Sequence, residues 1–211
     1  MTNDAQLPMM KNMLNSALKC GFPMNLFHCY ILNSDKEAAS YNTAQFKSIT
    51  IRKLEVINMN LNKDTILWVD NDIVFFENCL GDLLSKQHSF VMQDDGWGYC
   101  TGFFLARSGF FTKQIISTCI SWLKQQTDSA KNDQHAFNSV MKRAIGVSSM
   151  KLPVEEYPNG HAYFNRGLQD KAKMVHCNYL PTTAEKVQRF KDYELWDESD
   201  KGFNLVNKYY L

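Results

Sequence analysis

Asp70 and Asp72 stand on either side of Asn71, directly after Ile66-Leu67-Trp68-Val69 and directly before Ile73-Val74-Phe75-Phe76. Two carboxylates this close repel one another unless a cation lies between them. Oxygen donors select a hard divalent ion, Mn²⁺ or Mg²⁺, which completes its shell with water and phosphate oxygens. The other local possibility is a solvated turn in which the acids cap nearby amides. Two charges wedged between apolar runs weigh against it, because each needs a partner once water is excluded. If the strand runs on through the motif, residues i and i+2 share a face. Asp70 and Asp72 then converge while Asn71 points away.

The elements around the motif follow from periodicity. Residues 7–20 carry Leu7, Met10, Leu14, Ala17 and Leu18 at helical spacing, and Gly21 and Pro23 stop that helix. Residues 25–32 form an apolar strand, 43–61 return to helical spacing, and 65–69 form the strand that ends at the acids. Short strands follow at 88–92 and 102–106, helices at 109–125 and 133–144, a last strand ending at His176, and a closing helix at 186–195. Residues 153–167, rich in Pro, Asn, Gly and aromatics, read as a loop. Strands alternating with helices predict an α/β fold with a mostly parallel central sheet, in which ligands bind at the carboxyl edge of the strands.

Hydrophobic residues make up 45% of the 211 and charged residues 21%, the balance of a globular chain with a real core. A formal net charge of +1 argues against a nucleic-acid binder working through a strong overall positive field. The six cysteines (20, 29, 79, 100, 119 and 177) are scattered, with no Cys-x-x-Cys pair. Buried free thiols are expected, and not a zinc site. The N-terminus carries no basic region followed by an apolar stretch, no apolar run is long enough to span a bilayer, and no Asn-x-Ser/Thr sequon occurs. One domain over residues 1–211 is expected, in a reducing, cytoplasmic compartment.

Asp70-Asn71-Asp72-Ile73-Val74 also fits the motif of haloacid-dehalogenase-like phosphatases, with Asp70 as nucleophile. Position argues against it. That motif ends the first strand of its domain, whereas here a strand and two helices come first. Asp94-Asp95 also come too soon to be the late acidic pair of such an enzyme.

Further motifs occur in order: Cys100-Thr101-Gly102-Phe103-Phe104, Asn132-Asp133-Gln134-His135-Ala136-Phe137-Asn138, Tyr157-Pro158-Asn159-Gly160 and Val175-His176-Cys177-Asn178. With Asp70-Asn71-Asp72 the set resembles the nucleotide-diphospho-sugar transferase family of the glycosyltransferase-A fold, a Rossmann-like sheet flanked by helices. It is also similar to short transferase domains of large algal viruses, which would place the chain in a host cytoplasm. The resemblance implies a metal held by Asp70, Asp72 and the late His176. It implies nucleotide or donor contacts from Thr2, Asn3, Lys53, Asp70, Asn71, Thr101, Gly102, Asn159 and Gly160. Thr2 and Asn3 match the end of the family's first strand, which must then be very short here.

Asp133 and Gln134 correspond to the pair beneath the donor sugar, Gln134 near the anomeric carbon. Capping of the helix that Asn132 opens is the alternative for Asp133. Asp95 lies on a Gly-rich loop that faces donor sugar or acceptor. Trp97 and Tyr99 offer flat surfaces for an acceptor sugar, or pack as turn aromatics. Lys53 is either a donor contact or part of a solvated helix face.

The implied activity is transfer of a sugar from a UDP-sugar to a glycan hydroxyl, with Mn²⁺ or Mg²⁺ as cofactor and Lys53 or Lys186 assisting the leaving phosphate. The late His favours retention. If the reaction inverts, Asp95 or Asp133 is the base. The competing readings are a non-catalytic module that binds nucleotide-sugar or glycan, and the phosphatase. Oligomeric state is not written in the sequence.

Overall fold

The computed structural model describes residues 1–32, 43–61 and 64–211. In chain order the elements are β1 (Thr2–Asn3), α1 (Leu7–Lys19), β2 (His28–Leu32), α2 (Ala44–Asn60), β3 (Ile66–Val69), β4 (Ile73–Phe75), α3 (Leu80–Ser85) and β5 (Phe90–Asp94). Then come β6 (Tyr99–Ala106), α4 (Phe110–Gln125), α5 (Asp133–Met141), β7 (Ser149–Lys151), β8 (Met174–His176), α6 (Thr183–Asp192) and β9 (Asn207–Tyr210). They fall into two compact units. The first comprises Met1–Ala38, Asp70–Gly81 and Glu155–Leu211; the second comprises Ala39–Val69 and Asp82–Val154. The chain passes from the second unit to the first at the acidic motif itself.

In the first unit β1, β2 and β9 form a parallel sheet in the order β1-β2-β9. Strand β1 is two residues long, as the placement of Thr2 and Asn3 required. Strands β4 and β8 pair antiparallel, with Ile73 opposite His176, Val74 opposite Val175 and Phe75 opposite Met174. Helix α6 packs against this ribbon through Phe190, which is fully buried in a cluster with Val74, Tyr163, Phe164, Val175 and Cys177. Burying such a ring contributes about 2 kcal/mol. A capping box between Thr182 and Glu185 starts α6 three residues earlier than the periodicity from Lys186 suggested. Within residues 153–167, expected as a loop, His161–Asn165 form a single π-helical turn.

In the second unit the sheet runs β3-β6-β5-β7. Strand β6 is antiparallel to both β3 and β5, and β7 is parallel to β5. Helix α4 packs on α2 and α5. The core holds Phe90, Phe103, Phe104, Ile116, Leu123 and Phe137, all 1% exposed or less. The α/β class therefore stands as expected, with parallel and antiparallel pairs in this sheet. Strands β4, β7 and β9 and helix α3 were not foreseen. Three of the four are too short to show a period, and β9 is a polar, largely exposed run of Asn, Lys and Tyr.

All six cysteines are free thiols, and all but Cys20 are buried. Burial, reinforced by Asp133 near Cys119 and by Asp72 near Cys177, pushes both thiols up to about 12, so they stay protonated. Among the described residues no helix is long and apolar enough to cross a membrane.

Candidate functional site

Strand β3 ends at Val69, and Asn71 and Asp72 form a turn before β4. The strand ends at the acids as expected, and the turn, not strand alternation, sets the two carboxylates. The Asn71 amide is drawn away, to Thr2 Oγ1 at 3.4 Å and Gln6 Oε1 at 3.5 Å. Thr2 and Asn3 are both 2% exposed. The Asn3 side chain accepts from the Gln6 amide at 3.1 Å and so caps the turn that follows β1.

His176 reaches the motif through the β4–β8 ladder, whose register sets it opposite Ile73, one residue past Asp72. Its Nε2 lies 3.1 Å from Asp72 Oδ1, and Lys186 Nζ lies 2.7 Å from Asp72 Oδ2. Lys186 stands one turn before Phe190 on α6, so the buried ring fixes the face from which the ammonium extends. The Cys177 amide donates to the Asp72 carbonyl at 2.9 Å and holds the turn to β8. One ligand atom each from Asp70, Asp72 and His176 lies within 4.8 Å of the other two.

Asp72 is 5% exposed. Burial alone would raise its pKa, but the Lys186 ammonium and His176 hold it far below the usual carboxylate range. Burial likewise opposes the charge on Lys186, and Asp72 reverses that effect, keeping the ammonium charged. Two carboxylates and an imidazole nitrogen match a divalent ion of the Mn²⁺ or Mg²⁺ kind. Their convergence within 4.8 Å gives the residues present the donor set and spacing that fit such an ion.

The Tyr157-Pro158-Asn159-Gly160 motif lies beside β8, with a bridge between Asn159 and His176. The Gly160 amide faces Asn178 Oδ1 at 3.4 Å, and a Cβ on Gly160 would sit 2.5 Å from the Tyr179 ring. Only glycine fits there. Asn178 stands in the late-His motif but was given no role, and Tyr179 was not singled out in the sequence.

The remaining expected residues lie in the second unit. Asn132, not Asp133, caps α5, its Oδ1 accepting from the His135 amide at 3.1 Å. Asp133 instead pairs with Lys53 at 2.9 Å, the two side chains 7% and 8% exposed. Lys53 Nζ also stands 5.4 Å from the Trp68 ring centroid. The solvated-face alternative for Lys53 and the capping alternative for Asp133 are thereby both set aside.

Gln134 donates from Nε2 to Asp95 Oδ2 at 2.8 Å and accepts on Oε1 from the Thr101 amide at 3.3 Å. Its amide orientation is thus fully specified. Asp95 Oδ2 also accepts from the Trp97 indole at 3.1 Å. Trp97 is 60% exposed, whereas Tyr99 packs edge-on against Phe137 and bonds Ser149 at 2.8 Å. Asn138, in the motif but given no role, binds the Tyr99 amide and carbonyl and occupies the space a Cβ on Gly98 would need. Gly102 lies within β6, its amide facing Cys100 Sγ at 3.5 Å.

A family model described as nucleotide-diphospho-sugar transferase matches residues 11–190. A UDP-galactose:fucoside alpha-3-galactosyltransferase of Dictyostelium discoideum is 27% identical over 86% of this chain and 34% of its own. A UDP-D-xylose:L-fucose alpha-1,3-D-xylosyltransferase of Arabidopsis thaliana is 24% identical over 76% of this chain and 50% of its own. The chain thus spans a third to a half of the length of these relatives. Among solved structures, a glycosyltransferase involved in glycosylation of the major capsid of PBCV-1 superposes with TM-score 0.62 at 14% identity, covering 90% of this chain and 97% of that one. The galactosyltransferase LgtC superposes with TM-score 0.56 at 12% identity, over 92% of this chain and 95% of its own. At these identities the likeness establishes the fold.

Proposed function

The chain belongs to the nucleotide-diphospho-sugar transferase family and has its glycosyltransferase-A fold, and from that premise we propose that it moves a sugar from a UDP-sugar to a glycan hydroxyl, with retention, as one catalytic domain over residues 1–211. The observation that carries this is the convergence of Asp70, Asp72 and His176 within 4.8 Å, beside the half-buried ammonium of Lys186. UDP is the nucleotide in the names of both relatives, and both names place a fucosyl unit as acceptor. Fucosides are therefore the first acceptors to test.

Asp70, Asp72 and His176 would hold Mn²⁺ or Mg²⁺, which when bound would supply Lewis-acid stabilisation of charge on the diphosphate. The Lys186 ammonium adds a fixed positive charge next to the same carboxylate. Thr2, Asn3 and Asn71 hold the nucleoside end, and Asn159 and Gly160 the diphosphate. Lys53 and Asp133 orient sugar hydroxyls, with Thr101 and Gly102 shaping the floor on which Gln134 lies. Gln134, its amide set by Asp95 and Thr101, presents its remaining N–H to the anomeric region. Trp97 gives the acceptor sugar a face to stack on, with Tyr99 behind it. Under retention no strong base is needed, because the departing phosphate oxygen takes the acceptor proton.

Purified protein incubated with UDP-galactose, UDP-xylose or UDP-glucose and a fucoside is expected to release UDP with Mn²⁺ and to stop in EDTA. Equal turnover in EDTA would remove the metal role. Donor binding without turnover on any acceptor would return the non-catalytic module. Family membership leaves the phosphatase without support; a phosphorylated Asp70 after incubation with simple phosphate esters would restore it.

A further inference from the structure

Helix α4 begins with Phe110 and Phe111, and the turn after α5 carries Ile145. Phe110 is 75% exposed, Phe111 50% and Ile145 88%. Single exposed apolar side chains are ordinary, but contiguous ones mark an interaction surface. These are contiguous. The Phe110 and Phe111 rings meet edge-on with centroids 5.4 Å apart. Gly146, in the left-handed region at φ 76°, lies against Phe111, where a Cβ would sit 3.2 Å from Cζ. Ile145 is its immediate neighbour. Phe111 and Ile145 border a groove of about 720 Å³ whose wall continues through Ile115, Trp122 and Val140. None of the residues given a role in sugar transfer lines it.

The charge on this surface has one sign. Lys142 and Arg143 line the groove, and no lining residue is acidic. Lys113 lies three residues after Phe110, on the same helix face. Residues 107–127 contain no Asp or Glu. Other lysines of this unit are paired: Lys86 with Asp82 at 2.7 Å, Lys124 with Glu55 at 2.8 Å and Lys151 with Asp94 at 2.8 Å. Lys113, Lys142 and Arg143 have no acidic partner among the described residues.

We propose that this surface docks the protein peripherally on an anionic phospholipid bilayer. Phe110 and Ile145 enter the acyl boundary, and Lys113, Lys142 and Arg143 face the headgroups. Phe110 and Ile145 project into solvent, which suits insertion into a fluid phase better than recognition of one partner's contour. The complementarity this surface offers is one of sign, which a field of anionic headgroups satisfies. The inference stands independently of the sugar-transfer reading.

Vesicle flotation tests it. Wild-type protein is expected to float with vesicles of phosphatidylcholine mixed with phosphatidylserine, to stay behind with phosphatidylcholine alone, and to be released by added salt. Lys142→Ala with Arg143→Ala is expected to lower partitioning about 25-fold, near fivefold per residue. Phe110→Ser with Ile145→Ser is expected to abolish flotation. Phe111 is left intact because it packs on Gly146. An unchanged Tm in both variants shows that the fold survives exposed substitutions. No flotation of wild type, or equal flotation of wild type and both variants, overturns the proposal. So does a concentration-dependent dimer, seen without vesicles and abolished by Phe110→Ser with Ile145→Ser, since a second copy would then be the occupant.

Discussion

Both units bury charge, and they do so in different company. In the second unit Lys53 and Asp133 form an ion pair at 2.9 Å, each side chain less than a tenth exposed. In the first, Asp72 is met by His176 at 3.1 Å and by Lys186 at 2.7 Å, and ligand atoms of Asp70, Asp72 and His176 lie within 4.8 Å of one another. An acid and a base buried together answer one another's charge. Two carboxylates and an imidazole that converge are instead the donor set that a hard divalent cation takes. Charge is thus arranged as an ion pair in one place and as a three-residue donor set in the other.

The largest effect separating the two should come from Asp72→Ala. Transfer is expected to fall by about 10³-fold or more, measured as UDP release at saturating Mn²⁺, with the fold retained by circular dichroism. Near-normal transfer would show that the three-residue donor set is not used.

Lys53→Met tests the ion pair. It leaves Asp133 buried without its cation, at a cost of about 3 kcal/mol, which for a chain of this size lowers Tm by about 6–12 °C. Adding Asp133→Leu is expected to recover most of that loss without recovering transfer. Recovery of transfer as well would make the pair purely structural.

His176→Ala is expected to weaken Mn²⁺ binding by about 10- to 100-fold while nucleotide binding without metal changes little. A calorimetric titration that does not change would remove His176 from the ligand set.

The smallest effect lies at Asp197, which ties the C-terminal segment to α1. Its carboxylate is held down to about 2 by Lys19 and by the hydroxyl and amide of Ser199. A depressed carboxylate stabilises the fold above its unfolded pKa of about 3.9 and loses that contribution as pH falls toward the folded value. Asp197→Asn should cost about 0.5–1 kcal/mol at neutral pH, since the group is partly solvated. The difference from wild type should vanish below about pH 2 in denaturant titrations. A gap that persists in acid would assign the effect to packing.

Much of the fold was legible because its signals are local. Helices α1, α2, α4 and α5 show their period over nine residues or more, and Asn132 is a cap that reads as one. The acids at 70 and 72 were legible as a cation site because apolar neighbours denied them water. The π-helical turn at His161–Asn165 and strands β4 and β7 escaped because three to five residues cannot display a period. Tyr179, packed on Gly160, escaped because nothing in its own neighbourhood of the chain marks it.

By itself the sequence determined which residue types were available: paired carboxylates after an apolar strand, a late histidine, and an Asp-Gln pair opening a helix. The tertiary structure decided their company. The three-residue register of β4 on β8 carries His176 across more than a hundred positions to Asp72, and a slip of one residue would turn its side chain to the other face. Phe190, buried under the same ribbon, aims Lys186 at that carboxylate. Helix α5 returns Asp133 to Lys53 and Gln134 to Asp95. The physical reason is that spacing fixes only contacts within a turn or a strand. Charge balance is a sum over neighbours, and the neighbours are chosen by the packing of distant segments.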